Sequence, residues 1–458
     1  MEHKRIPGRR SRVGKESERL CVEARSRGTG VLVGRIALGL GALTVVFVLA
    51  GFSVLGAAAG RINFTTPSVM GYPPGGDDWE PAVASDGQGN VYYMTTHLSG
   101  VPGCPACSVD TMVIQVSHDG GRTFTAPSPL TISSAVQFDP QVKVNSAGVV
   151  FVSYLHGKDT VVQHSDDSGA TWSTPVAINA DVKNGITDKD GLAVQGDDVY
   201  VGYSIAQKLF VSSSHDRGRT FATVQINQNT IGWPLNGGAT VAPDGTVYMV
   251  WELVHKSGQA QGPQDVAVTK SSDKGASWTI SYVDTGLPPG PSCPTTCGWD
   301  YLGTGVSISA DRSGHLYVTY NAPITDNGPP FIWYKTSTDG GMTWSSRTML
   351  NADGTSAFHV FPGVEAGGAG DVRVAWMDNR TGAYNVWYRS SSDGGQTWSA
   401  EVKVSGFRSG YSYVTAQGFA FPYGDYITVA LDSKGHEHIA WGEGPNYGGP
   451  GNVLYATS

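Results

Sequence analysis

Ser391-Ser392-Asp393-Gly394-Gly395-Gln396-Thr397-Trp398 reads S-x-D-x-G-x-T-W, and the pattern recurs five more times. The other copies are SHDGGRTF from Ser117, SDDSGATW from Ser165, SHDRGRTF from Ser214, SSDKGASW from Ser271 and STDGGMTW from Ser337. A motif that returns every 48–66 residues marks a propeller or an array of like units. Each copy lies between two apolar runs, as Asn385-Val386-Trp387-Tyr388 and Val402-Lys403-Val404 flank the last one, so it marks a hairpin turn. The Asp carboxylate accepts from backbone N–H groups further along the turn. The Gly supplies a positive φ. The closing Trp or Phe starts the outgoing strand and buries a large apolar area. On this reading Asp119, Asp167, Asp216, Asp273, Asp339 and Asp393 are structural.

These residues resemble the Asp-box (BNR) repeat of bacterial sialidases and their relatives, across nearly all of the chain after residue 60. The departures are Ser277 for Thr and Phe124 and Phe221 for Trp. The resemblance implies a β-propeller. It implies an activity less firmly, because non-hydrolase receptors and assembly factors also carry Asp boxes.

A second repeat, D-x-x-G followed by an alternating strand, occurs seven times, for example SDGQGNVYY from Ser85, APDGTVYMVW from Ala242 and LDSKGHEHIAW from Leu431. It reads as the hairpin of the first two strands of a blade, with the Asp box joining the third and fourth. Seven such hairpins against six Asp boxes leave the last unit one strand short. The stretch 62–69, INFTTPSV, resembles the fourth strand TFTAPSPL from Thr123 and can supply it. An open ring would expose sheet edges. The expected fold is therefore all-β, a seven-bladed propeller of four-stranded blades closed by an N-terminal strand, against six blades in typical sialidases.

Sixty-one Gly, 20 Tyr and 12 Trp in 458 residues, with 15 % charged, suit many short strands and tight turns. Residues 1–35 hold ten Lys/Arg and four Glu, a charge of +6, which leaves −14 on residues 36–458 for a chain total of −8. So acidic a body argues against nucleic acid. The basic stretch 1–35 reads as a cytoplasmic tail. Its Arg5-Ile6-Pro7 spells a sialidase signature but lies outside any blade. Residues 36–59 carry no charge and as a helix would span about 36 Å, enough for a bilayer core. With basic residues before it, this reads as a transmembrane anchor (36–60) holding the propeller, 61–458, outside the cell membrane. The alternative is secretion after cleavage at Ala57-Ala58-Ala59.

In a propeller the irregular loops share one face, and function belongs there. Cys104, Cys107, Cys293 and Cys297 fall in these loops and suggest two local disulfides, the alternative being one zinc site. Glu80, Asp139, Asp190 and Asp300 each precede an innermost strand, with Asp188 nearby. They would ring the channel mouth, hold Ca²⁺ or act on a sugar, or else cap their own strands. Trp299 and Asp378 join them as ligand-binding candidates. His436 and His438 alternate on one strand and read as surface decoration near a turn.

The sialidase resemblance implies three substrate-binding arginines, a Tyr nucleophile with a carboxylate partner, and an Asp acid/base. Arg380 and Arg389, Tyr423 or Tyr426, and Asp190 are the residues available for those roles, with Glu252, Glu365 and Glu443 as partners for the Tyr. They do not make a full arginine triad. Two functions stay open: a sialidase-like glycoside hydrolase, or a non-catalytic propeller that binds a glycan or protein partner.

Overall fold

The computed structural model describes residues 62–458 apart from 74–75, 181, 183–184, 230, 256–262, 288–304, 326–327, 353, 355 and 408–409. Each D-x-x-G unit and each Asp box reverses the chain, so consecutive strands pair antiparallel with their sequence neighbours. The first sheet contains Asp77–Ser85, Val91–Leu98, Thr111–Ser117 and Ser128–Pro129 in that order. Five more four-stranded sheets follow, opening with Gln137–Val144, Thr187–Gln195, Trp233–Val241, Val306–Ala310 and His359–Ala366.

The seventh blade takes strands from both ends of the described chain. Its innermost strand is split into Phe421–Pro422 and Thr428–Leu431, both paired with Glu437–Gly444, which pairs in turn with Asn452–Thr457. Ser68–Val69 then adds to Asn452–Thr457, Ser68 opposite Tyr455 and Val69 opposite Leu454. Thr65 N donates to Thr457 O and Met70 N to Val453 O, both at 2.8 Å. The fold is thus a seven-bladed, all-β propeller closed by the N-terminal ribbon.

The Asp boxes act as the sequence suggests. In the last copy Asp393 Oδ1 accepts from Thr397 N at 2.8 Å, and Oδ2 accepts from Thr397 Oγ1 at 2.6 Å. Ser391 Oγ donates to Asp393 Oδ1 and accepts from Gly395 N. Gly395 has a φ of 84°, and a Cβ there would lie 2.4 Å from the Tyr334 ring. Only glycine fits both constraints.

Seven hydrophobic clusters sit at the seven blade junctions. Ala82, Tyr92 and Met112 of blade one meet Val142, Val150 and Tyr154 of blade two, and Val83 and Tyr93 of blade one meet Ala440 and Tyr455 of blade seven. Trp251, Trp376 and Trp441 are fully buried between blades. The ring is therefore held by apolar contact all the way round, and only short outer strands are left as edges.

One reading changes, and one lies beyond the described residues. His438 is fully buried and its Nδ1 lies 2.6 Å from the Tyr455 hydroxyl, so only His436 of that pair is on the surface. No helix among the described residues is long and apolar enough to cross a membrane, and the segment 36–59 lies outside those residues.

Candidate functional site

The innermost strands break register at one level of the ring. The interruptions fall between Trp79 and Ala82, Phe138 and Gln141, Asp188 and Gly191, Asn236 and Gly238, and Val360 and Gly363. Four of these bulges hold a non-glycine residue at positive φ: Glu80 at 57°, Asp139 at 54°, Lys189 at 47° and Phe361 at 52°. Such a bulge re-aims a side chain, and strained non-glycine backbone of this kind gathers at functional sites. In blade seven the break is wider and inserts residues 423–427 between the two pieces of the innermost strand.

The result is one polar cluster. Lys189 Nζ lies 2.8 Å from Asp139 Oδ1 and 3.7 Å from Glu80 Oε1, and it bonds Asp425. The Tyr426 hydroxyl donates to Asp139 Oδ1 at 2.7 Å, and Asp139 N donates to Glu80 Oε2 at 2.8 Å. Lys189 Nζ also stands 5.1 Å from the centre of the Tyr426 ring.

Burial, with Asp139 alongside, pushes the Glu80 carboxyl well up. Burial and Asp139 likewise raise Asp188, to about 6. Burial works the same way on Asp139, but the Lys189 charge and hydrogen bonds from Lys189 and Tyr426 outweigh it and hold that group below the usual carboxylate value. Burial pulls Lys189 down, and Asp139, Asp425, Glu80 and Asp188 together outweigh it, so the ammonium is held firmly charged. The cluster thus contains carboxyls pushed in opposite directions.

Lys189, Asp425 and Tyr426 line a channel cavity of about 170 Å³, together with Asp190, Asn236 and Phe361. A second cavity of about 630 Å³ is lined by the short turns that carry Asp86, Asp311 and Asp432. Glu365 borders both, so it stands at the waist of the channel. Burial raises its carboxyl, against the pull of Lys143.

The structure brings Glu80, Asp139 and Tyr426 together, with Asp188 feeling the charges of Asp139 and Lys189 and Asp190 lining the cavity. It places Arg380 elsewhere, between the second and third strands of blade six. There its guanidinium forks onto the fully buried Asp378, bonds Glu401 and lies 4.3 Å from the Trp387 ring. Asp378 also accepts from Trp376 Nε1. Arg389 donates to the carbonyls of Ser399 and Leu350. Neither arginine lines the cavity, and no arginine does among the described residues. Tyr423 is 2 % exposed, stacks on Trp79 with ring centres 5.2 Å apart and donates to Asp77 at 3.0 Å, so it joins blades seven and one. Of the possible Tyr partners, Glu252 lines the cavity, while Glu443 accepts from Trp441 Nε1 and burial raises it to about 7. Cys104 and Cys107 form a disulfide. Cys293, Cys297, Trp299 and Asp300 lie outside the described residues.

Sequence reasoning missed Lys189 and Asp425. The sequence aligns Asp190-Gly191 with Glu80-Pro81 and Asp139-Pro140, whereas the register pairs Lys189-Asp190 with them. Pro stands second in the bulges of blades one, two and six, and Asp190 takes that place in blade three. As for Ca²⁺, Glu80, Asp139 and Asp425 each offer an oxygen within 4.8 Å of the others. The Lys189 ammonium already fills that place, so the set as arranged is an ammonium site.

No family model matches the chain, and no curated protein does. Among solved structures, an ulvan lyase, described as a new polysaccharide lyase family, aligns over 84 % of this chain and 95 % of its own, with a TM-score of 0.55 and 12 % identity. The same enzyme bound to -[GlcA(1-4)Rha3S]- aligns over 86 % and 94 %, with a TM-score of 0.53 and 11 % identity. The Hadza microbial sialidase Hz136 covers 77 % of this chain and 74 % of its own at a TM-score of 0.45 and 14 % identity. The chain shares the β-propeller fold of the ulvan lyase. This propeller is built on Asp boxes and fills its channel mouth with carboxyls around one lysine.

Proposed function

We propose that this propeller recognises a glycan at the long-loop mouth of its channel and cleaves a glycosidic bond there. The observation that carries the reading is the Tyr426–Asp139 hydrogen bond, 2.7 Å, on the rim of the channel cavity. A phenol paired with a carboxylate can act as a nucleophile at an anomeric carbon, its proton passing to Asp139 as the new C–O bond forms. Asp188, raised to about 6, is the donor for the departing oxygen. Water then displaces Tyr426, which regains its proton from Asp139, while Asp188 takes the proton that the water gives up. Lys189 and Glu80 hold Asp139 in place.

The substrate is uncharged on this reading. A sialoside needs guanidinium pairing, and the cavity offers Lys189 and Lys143 among more numerous acids. The ulvan lyase solved with a bound saccharide supports a carbohydrate ligand for a propeller of this shape. A second reading, glycan or protein binding without turnover, draws on the way Lys189 engages Glu80, Asp139 and Asp425 and leaves the cluster internally satisfied.

The test is the full-length protein on fluorogenic neutral glycosides, uronides and sialosides, with and without Ca²⁺. Turnover of a neutral glycoside, unaffected by Ca²⁺ and lost in Tyr426→Phe, is the expected result. Binding without turnover across the panel selects the second reading. The anchor at 36–59 and an external propeller belong to the same proposal, supported by the Cys104–Cys107 disulfide, which suits an oxidising compartment. Protease shaving of intact cells tests it: a propeller that survives until the cells are lysed refutes export.

A further inference from the structure

The channel cavity holds two polar atoms that nothing among the described residues satisfies. Asp190 Oδ1 and Asn236 Nδ2 are buried without a hydrogen-bond partner, on residues 3 % and 8 % exposed that both line the cavity. The other Asp190 oxygen is taken by the Ser153 hydroxyl. The Asn236 amide is held in one orientation, because its Oδ1 accepts from Gly238 N at 2.8 Å, which leaves Nδ2 as the spare donor. Two glycines make its seat. A Cβ on Gly191 would fall 2.0 Å from Asn236 Oδ1, and one on Gly202 would fall 2.8 Å from Nδ2. Gly191 and Gly202 face each other across the first two strands of blade three. An amide seated so closely, with its donor unpaired, is costly unless the cavity supplies the acceptor.

The missing partner is neutral. An anion would meet Asp190, Glu252 and Glu365, and a cation would meet Lys143 and Lys189. Leu235, Val306, Phe361 and Pro362 give the rest of the wall an apolar surface. At about 170 Å³ the space exceeds the ~150 Å³ cavity known to hold benzene, so one six-membered ring fits.

We propose that this cavity is a subsite for an uncharged pyranose ring, one hydroxyl of which accepts from Asn236 Nδ2 and donates to Asp190 Oδ1. The inference rests on reading the mouth as a glycan site and names the sugar class it takes. The ring enters past Lys189, Asp425 and Tyr426, which line the same space.

The experiment is saturation-transfer NMR on the full-length protein with methyl glucopyranoside, galactopyranoside, mannopyranoside and xylopyranoside. Wild type should bind at least one of them. Asp190→Asn should weaken that sugar about tenfold, the worth of one hydrogen bond. Leu235→Phe, which fills the cavity without touching either polar group, should abolish binding while the melting curve stays cooperative. If both variants bind like wild type while Asp139→Asn does not, the cavity assignment is overturned and the glycan reading stands. If wild type turns over a neutral glycoside yet none of the four sugars binds, the cavity assignment also falls. Absence of both binding and turnover overturns the two together.

Discussion

Replacing Lys189 with Met removes the one cation from a buried group of acids while keeping the length of the side chain. Lys189 is 16 % exposed, and Glu80, Asp139 and Asp425 are 5 %, 5 % and 16 % exposed, so water screens the group poorly. Removing one partner of such a buried set costs about 3–5 kcal/mol, because the others keep their desolvation penalty. Domains of 150–250 residues lose about 2–4 °C per kcal/mol, and a larger body loses about half that, which puts the expected fall in Tm at roughly 3–10 °C. The sign with pH follows from the shifts. Asp139 is held below its ordinary value, so its contribution is present above the unfolded carboxylate pKa and is lost as pH falls through the folded one. The gap between wild type and Lys189→Met should therefore be wide at pH 7.5 and close towards pH 3. Scanning calorimetry of both proteins across that range is the measurement, with Lys189→Met/Asp425→Asn recovering part of the loss. A gap below about 1 °C at pH 7.5, or one that does not change with pH, would refute the view that the ammonium neutralises these acids.

Wild-type Tm should rise as pH falls from 8 towards 5, because Asp188 and Glu443, raised to about 6 and about 7, are costly while ionised and are relieved below those values. Further acidification should reverse the trend, since hydrogen bonds hold Asp119, Asp167, Asp273 and Asp339 at about 2 and their contribution disappears between pH 4 and 2; a flat calorimetric profile contradicts both halves. Deleting residues 1–61 should leave the melting of the propeller unchanged, whereas deleting 1–70 removes the closing strand and should lower Tm and produce aggregates on size exclusion. Asp139→Asn should cut turnover of a neutral glycoside by about 10²–10⁴-fold with little change in KM, and a loss confined to KM argues against a chemical role.

The blades were legible because their signals are local and repeated. Each Asp box encodes its own turn within eight residues, and the surplus D-x-x-G hairpin pointed to the missing strand that Ser68–Val69 supplies. The site was legible only in part. Glu80 and Asp139 stand out as acids before Pro, but Lys189 came to light only through the register, because the bulge in blade three starts one residue earlier than the Asp-Gly pair suggests. Asp425 sits in a break longer than the others among the described residues, for which the repeat gives no template. Arg380 looked free in a loop because its ties to Asp378 and Glu401 combine a two-residue step with a distant contact, and neither has a period to read.

The shared seventh blade sets an order of events during synthesis. Ser68–Val69 leaves the ribosome among the first parts of the propeller, while its partner Asn452–Thr457 leaves among the last. At about 5–20 residues per second the early ribbon waits on the order of 20–80 s with no mate. Six blades can stack in that interval, but the circle can shut only once Asn452–Thr457 has emerged, so both flanks of the growing ring stay open until then.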